Sequence, residues 1–171
     1  MRIIKVIIGV VGVVVLIAVG SYAWTAITKP QIETSIVIDA DAGAVWDVLT
    51  DFDRYSEWNP FIIESRGTAA VGTQLTNTLL NGTSEMTFTP TITVADAGRE
   101  LRWLGQFPVP GIIDGEHYFL IESLGSGQVR FVHGEHFRGA LVPFAGGALD
   151  VEDGFAAMNE ALKQRVEARA Q

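Results

Sequence analysis

FVHGEHF, residues Phe131 to Phe137, places His133, Glu135 and His136 within four positions, and the remaining histidine of the chain is His117. Imidazole and carboxylate groups this close together ligate metals, carry protons, or hold the polar end of a ligand. The choice between these rests on direction. In a strand, His133 and Glu135 point one way and His136 the other, whereas in a helix His133 and His136 share a face. The elements around the segment therefore decide its chemistry.

Pro30 closes an apolar N-terminal segment, and QIETSIVIDA follows it with Ile32, Thr34, Ile36 and Ile38 alternating onto one side of a strand. Asp41 is placed to cap a helix whose apolar positions are Val45, Trp46, Val48 and Leu49. DFDRYSEWNPF reads as a short irregular helical turn ended by Pro60. Six strand-like runs follow: Phe61–Arg66, Thr73–Leu80, Glu85–Val94, Glu100–Gln106, Glu116–Ser123 and Gln128–Arg138. Hairpin-turn residues stand at Asn81–Gly82, Asp96–Gly98 and Gly125–Gly127. Near the C-terminus, Phe155, Met158, Leu162 and Val166 lie on one face of a long helix. This order predicts an α+β fold: a curved antiparallel sheet of about seven strands that buries one face by wrapping around the C-terminal helix, with two short helices after the first strand.

MRIIKVIIGVVGVVVLIAVGSYAWTAITKP carries Arg2 and Lys5, then no charge from Val6 to Thr28. Spanning a bilayer takes roughly 20 apolar residues, and this run is long enough. Tyr22 and Trp24 stand near its far end, where interfacial aromatics belong. Two leading positive charges against Lys29 alone favour a cytoplasmic N-terminus and a domain on the outer, non-cytoplasmic side. Residues 1–28 are thus expected to form a single-pass transmembrane anchor and residues 31–171 one domain. The competing expectation is a signal segment cut before Trp24, which releases a secreted protein. Three of the 12 basic residues precede Pro30, while all 20 acidic residues follow it. The domain surface is therefore strongly acidic and unsuited to nucleic acid. The chain has no cysteine, which excludes disulfides, thiolate nucleophiles and Cys–zinc sites.

Five segments, VWDVLTDFDRYSEWNPFI, GRELRWLG, GEHYFLIE, RFVHGEHFRG and GFAAMNEALKQRVE, together resemble the START-like, helix-grip (SRPBCC) superfamily. Within it they are similar to the polyketide cyclase/dehydrase-type proteins. The resemblance covers residues 31 to 168. It implies a sheet gripping the C-terminal helix around a cavity that commonly holds a hydrophobic or lipid-like molecule. The superfamily shares no catalytic motif, so no catalytic residue carries over. The N-terminal membrane segment is an addition to the basic domain.

Strand parity in Gln128–Arg138 turns Val129, Phe131, His133, Glu135 and Phe137 toward the helix, and Arg130, Val132, Gly134, His136 and Arg138 away from it. On the two preceding strands His117, Phe119 and Ile121, then Leu101, Trp103 and Gly105, face inward. Asn159, one residue after Met158, joins them from the helix. The expected ligand-binding lining is Trp103, His117, Phe119, Phe131, His133, Glu135, Met158 and Asn159. Because His133 and His136 point apart, no metal site is expected, and no cofactor. Three roles stay open for the His133–Glu135 pair. It is a polar core that satisfies its own hydrogen bonds, a spot that orients a ligand's head group, or an acid–base pair. The chain as a whole reads as membrane-tethered binding of a small hydrophobic or lipid-like ligand. The alternatives are a cyclase/dehydrase-like enzyme and a non-catalytic interaction domain with a closed cavity. Two apolar loops, QFPVPGIIDG and ALVPFAGGAL, are placed to form a lid, to touch a membrane, or to cap the sheet edge.

Overall fold

The structure, a computed structural model, describes residues 2–169. Helix α1 (Arg2–Thr28) leads into strand β1 (Gln31–Ile38), helix α2 (Ala42–Thr50) and a 3-10 turn at Phe52–Glu57. Seven strands follow: β2 (Ile62–Arg66), β3 (Thr76–Asn81), β4 (Ser84–Phe88), β5 (Thr91–Asp96), β6 (Glu100–Phe107), β7 (Ile113–Gly125) and β8 (Gln128–Arg138). Helix α3 (Glu152–Arg169) closes the chain. The Asp41 side chain caps α2 by accepting from the Ala44 N–H at 2.9 Å. The β7–β8 turn holds Gly125, Ser126 and Gly127 all at positive φ, a conformation for which glycine is the cheapest residue.

The strand-like run Glu85–Val94 is two strands, β4 and β5. Pro90 lies between them and has no N–H to donate to a ladder. The break lets the chain change sheets. One sheet has the order β1-β8-β7-β6-β5 and the other β2-β3-β4. They are joined by the Gln74↔Thr91 bridge, flanked by Leu75 N–H to Pro90 O and Ile92 N–H to Thr73 O, both at 2.9 Å. The first and last strands pair antiparallel, from Gln31↔His136 to Ile38↔Val129.

Helix α3 fills the concave side. Phe155, Met158, Leu162 and Val166, the residues expected on its apolar face, are all buried. They pack with Val45, Val48 and Leu49 of α2 and with the inner faces of β6, β7 and β8. Burying this stripe stabilises the fold by about 1.5–3 kcal/mol per large side chain.

Helix α1 is long and apolar enough to cross a membrane, and none of its most apolar 18-residue window is buried. Its last turns touch the domain. Ser21 and Thr25 are buried. The Gly139 N–H donates to Thr25 Oγ1 at 3.1 Å, and the Arg138 guanidinium lies 4.5 Å from the centre of the Tyr22 ring.

Candidate functional site

Sheet register places the polar inner-face residues in two rows. Trp103, His117, Glu135 and Ile32 stand opposite one another across β6, β7, β8 and β1. The next row is Leu101, Phe119, His133 and Thr34. On the other side of the first row, Gly105 and Gly115 stand beside Phe137. Two glycines in neighbouring strands remove side chains where the sheet faces the β2-β3-β4 sheet, and a cavity of about 660 Å³ opens there. Its size falls within the range of small-molecule sites, roughly 300–1,000 Å³. Phe61, Ile62, Leu79, Phe88 and Leu149 give it apolar walls, while His117 and Glu135 supply polar groups.

Below the cavity the polar side chains form one chain of contacts. His117 Nε2 and His133 Nε2 are 2.7 Å apart. His133 Nδ1 lies 2.9 Å from Asn159 Oδ1, and Asn159 Nδ2 donates to Thr34 Oγ1 at 2.9 Å. Proton positions follow from this sequence of partners. Because the Asn159 amide spends its N–H on Thr34, its oxygen faces the ring and must accept, so His133 carries its proton on Nδ1. A neutral His133 then presents a bare Nε2, and His117 must donate from its own Nε2. That leaves His117 Nδ1 as an unprotonated acceptor, 3.6 Å from Glu135 Oε2. The gap is slightly too long for a hydrogen bond.

Burial sets the charge states. Desolvation lowers the His117 imidazole to about 3 and pushes His133 well below its ordinary value. The neighbouring His117 adds a like-charge penalty at His133, which the hydrogen bond to Asn159 offsets in part. The Glu135 side chain is 20% exposed, and it is the cavity it opens into. Loss of bulk water there raises its carboxyl to about 7. The group poised near neutral pH is thus Glu135. The histidines are held neutral, so His117 and Glu135 do not form an ion pair.

Glu135 fits only because Gly115 has no side chain. A Cβ at position 115 would overlap Glu135 Oε1, whereas one at Gly105 meets nothing nearer than Phe88, at 3.7 Å. Gly115→Ala should therefore cost about 1–3 kcal/mol in stability through forced displacement of the carboxyl. Gly105→Ala should stay near neutral. Urea denaturation of the two variants measures the contrast, and equal effects would mean that Glu135 moves aside freely.

Of the residues expected to line the cavity, Trp103, His117 and Glu135 do so. Phe119, Phe131, His133, Met158 and Asn159 are fully or almost fully buried in the packing beneath them. His133 stacks on the Phe155 ring at 3.9 Å between centroids. Thr34 was visible as the polar member of an otherwise apolar strand face, yet its link to Asn159 depends on β1 pairing with β8. The walls from β2, β3 and β4 had no comparable signal. On the outer face, Tyr118 crosses Gly134, stacks on His136 at 4.9 Å and donates to Glu33 at 2.6 Å. His136 is therefore remote from the cavity, as parity requires.

Solved structures similar to this chain show the same architecture. The Zhui aromatase/cyclase from Streptomyces sp. R1128 superposes with a TM-score of 0.69 at 18% identity, over 83% of this chain and 96% of that one. A START superfamily protein from Mycobacterium smegmatis gives 0.61 at 19% identity, over 81% and 98%. Norcoclaurine synthase from Thalictrum flavum gives 0.65 at 14% identity, over 82% and 87%. At these identities the likeness is one of fold. No curated protein matches the chain significantly. The family described as polyketide cyclase / dehydrase and lipid transport matches residues 29–167, from the start of β1 into the last turn of α3, and the chain belongs to that family.

Proposed function

We propose that residues 1–28 anchor the protein in a membrane, and that the domain of residues 31–171 stands on the non-cytoplasmic side and binds a hydrophobic, lipid-like molecule. The observation that carries this reading is the cavity of about 660 Å³ with apolar walls and one polar corner at His117 and Glu135. A ligand with an apolar body and one hydroxyl or carbonyl group matches that distribution. Its body replaces water along Phe61, Ile62 and Leu79, and its head meets a carboxyl that keeps its proton in about half of the molecules at neutral pH. The family description includes lipid transport, which agrees with such cargo. The apolar length of α1 and the excess of positive charge at its start support the tether and its direction.

Two measurements test the reading. Full-length protein should stay in the membrane pellet after carbonate extraction at high pH, and a mature chain beginning at Trp24 would replace the anchor with a cleaved signal. Displacement of a fluorescent fatty-acid probe should weaken on Glu135→Ala by about 1–3 kcal/mol, the usual range for a hydrogen bond to a charged or strongly polar group. A protein that takes up no probe would remove the ligand-binding reading.

Glu135 also favours a second reading, an acid–base enzyme of the cyclase/dehydrase kind. A carboxyl near 7 that opens into an apolar cavity is suited to giving and taking a proton. Turnover of an aromatic or polyketide-like substrate, lost in Glu135→Gln, would establish it.

A further inference from the structure

The cavity reaches the end of the main sheet from which α1 departs, where Gln106, Phe107, Ile113 and Phe137 line it. β1 begins there at Gln31, β8 ends at Arg138, β7 begins at Ile113 and β6 ends at Phe107. Two loops project from this end, Pro108–Ile112 between β6 and β7 and the segment from Gly139 to Leu149 before α3. Phe107 at the end of β6 and Val109, Leu141 and Phe144 on the loops are 60%, 55%, 49% and 65% exposed. Four large apolar side chains left in water together on one rim are costly unless something covers them. Phe107 and Gly147 belong to both features, as they lie on the rim and also line the cavity.

The covering surface follows from α1. Its last turns are docked onto these same loops: Tyr22 is 3.8 Å from where a Cβ of Gly111 would stand, Thr25 accepts from Gly139, and Arg138 lies over Tyr22. Tyr22, Trp24, Lys29 and Arg138 are the residue types that sit at headgroup level. If α1 spans the bilayer, a contact at its final turns holds the loops at that same level. The distal turn at Gly125–Gly127 lies far away, since the eleven residue steps from Ile113 to Leu124 along β7 measure roughly 36 Å.

We propose that the Pro108–Ile112 and Gly139–Leu149 loops dip into the leaflet beside α1, so that the cavity mouth is sealed against the membrane and apolar molecules pass between bilayer and cavity without crossing water. This rests on the anchoring of α1 proposed above and adds a membrane-inserted rim to it.

The absence of cysteine allows single-site labelling of the full chain. Val109→Cys, Phe144→Cys and Leu124→Cys, each labelled with the fluorophore NBD, are placed in phosphatidylcholine vesicles with or without doxyl-labelled phosphatidylcholine. Leu124 is a fair control because it is itself an exposed apolar residue, at the distal end. Emission at positions 109 and 144 should shift to the blue and be lost to the doxyl lipid, while emission at 124 does neither. Carbonate-resistant protein with all three positions in water would overturn the rim and leave the anchor standing. A blue shift at 109 and 144 without doxyl quenching would mean that protein, such as a second copy, covers the loops, which also overturns it. Protein washed from the vesicles would remove anchor and rim together. Phe144 does not line the cavity, so Phe144→Asp should slow transfer of a fluorescent fatty acid from vesicles several-fold while leaving its affinity from solution unchanged. Equal transfer rates would overturn passage through the rim.

Discussion

His133→Ala is expected to destabilise the protein by roughly 3–5 kcal/mol, the range for deleting a buried aromatic ring, with unmet hydrogen bonds contributing part of it. The ring is completely buried and stacked on Phe155, and both of its nitrogens are engaged. Removal leaves a hole beneath the cavity. It also leaves a His117 N–H and the Asn159 oxygen without partners, in a place that water reaches only through that hole. The loss should be shared with Asn159: the double variant His133→Ala/Asn159→Ala should cost clearly less than the sum of the two single changes, because each single change already orphans the other residue. Urea denaturation of the three variants provides the comparison. Strict additivity, or a loss from His133→Ala below about 1 kcal/mol, would mean that the chain from His117 to Thr34 is not a single network.

This behaviour separates roles that His133 and Glu135 share in the sequence. Parity along FVHGEHF is enough to put both on the inner face and His136 on the outer one. It says nothing about depth. Depth comes from what stands opposite: His133 faces Phe119 and Thr34 under α3, whereas Glu135 faces His117 and lies over Gly115, where side-chain volume is missing. A glycine in a strand reads as a turn or a weak point, and its use as the floor of a cavity shows only once Gly105 and Gly115 are in register. The α3 face was legible because Phe155, Met158, Leu162 and Val166 repeat with the helical period. The far wall was not. It depends on Pro90 splitting one strand-like run and sending β2, β3 and β4 into a second sheet, and that outcome is set by long-range pairing. The family resemblance supplied the cavity; it did not say which inner-face residues reach it.

Glu135→Gln should gain on the parent protein as the pH rises. The carboxyl titrates at about 7 in the folded chain against an ordinary 4.5, so its folded pKa is raised. Below 4.5 the group is neutral in both states and exacts no penalty. Between 4.5 and 7 the unfolded chain releases its proton while the folded chain keeps it, and stability falls with pH. Above 7 both states are ionised and the penalty is complete, at most about 3 kcal/mol at 1.36 kcal/mol per unit. The imidazoles act in the opposite sense: His117 is lowered from 6.5 to about 3, so its contribution is lost as the pH falls through that interval, and His133 moves the same way. Two imidazoles outweigh one carboxyl on the acid side, and these groups place maximum stability near the upper end of that interval. Glutamine removes only the alkaline loss. The stability difference between Glu135→Gln and the parent should therefore grow by roughly 2–3 kcal/mol between about pH 4.5 and pH 8, read from urea denaturation at a series of pH values. A constant difference would mean that the carboxyl is hydrated and ionised like a surface glutamate. It would then be unable to donate a hydrogen bond to a ligand's carbonyl at neutral pH, and the polar corner of the cavity would select for a hydroxyl or a cation instead.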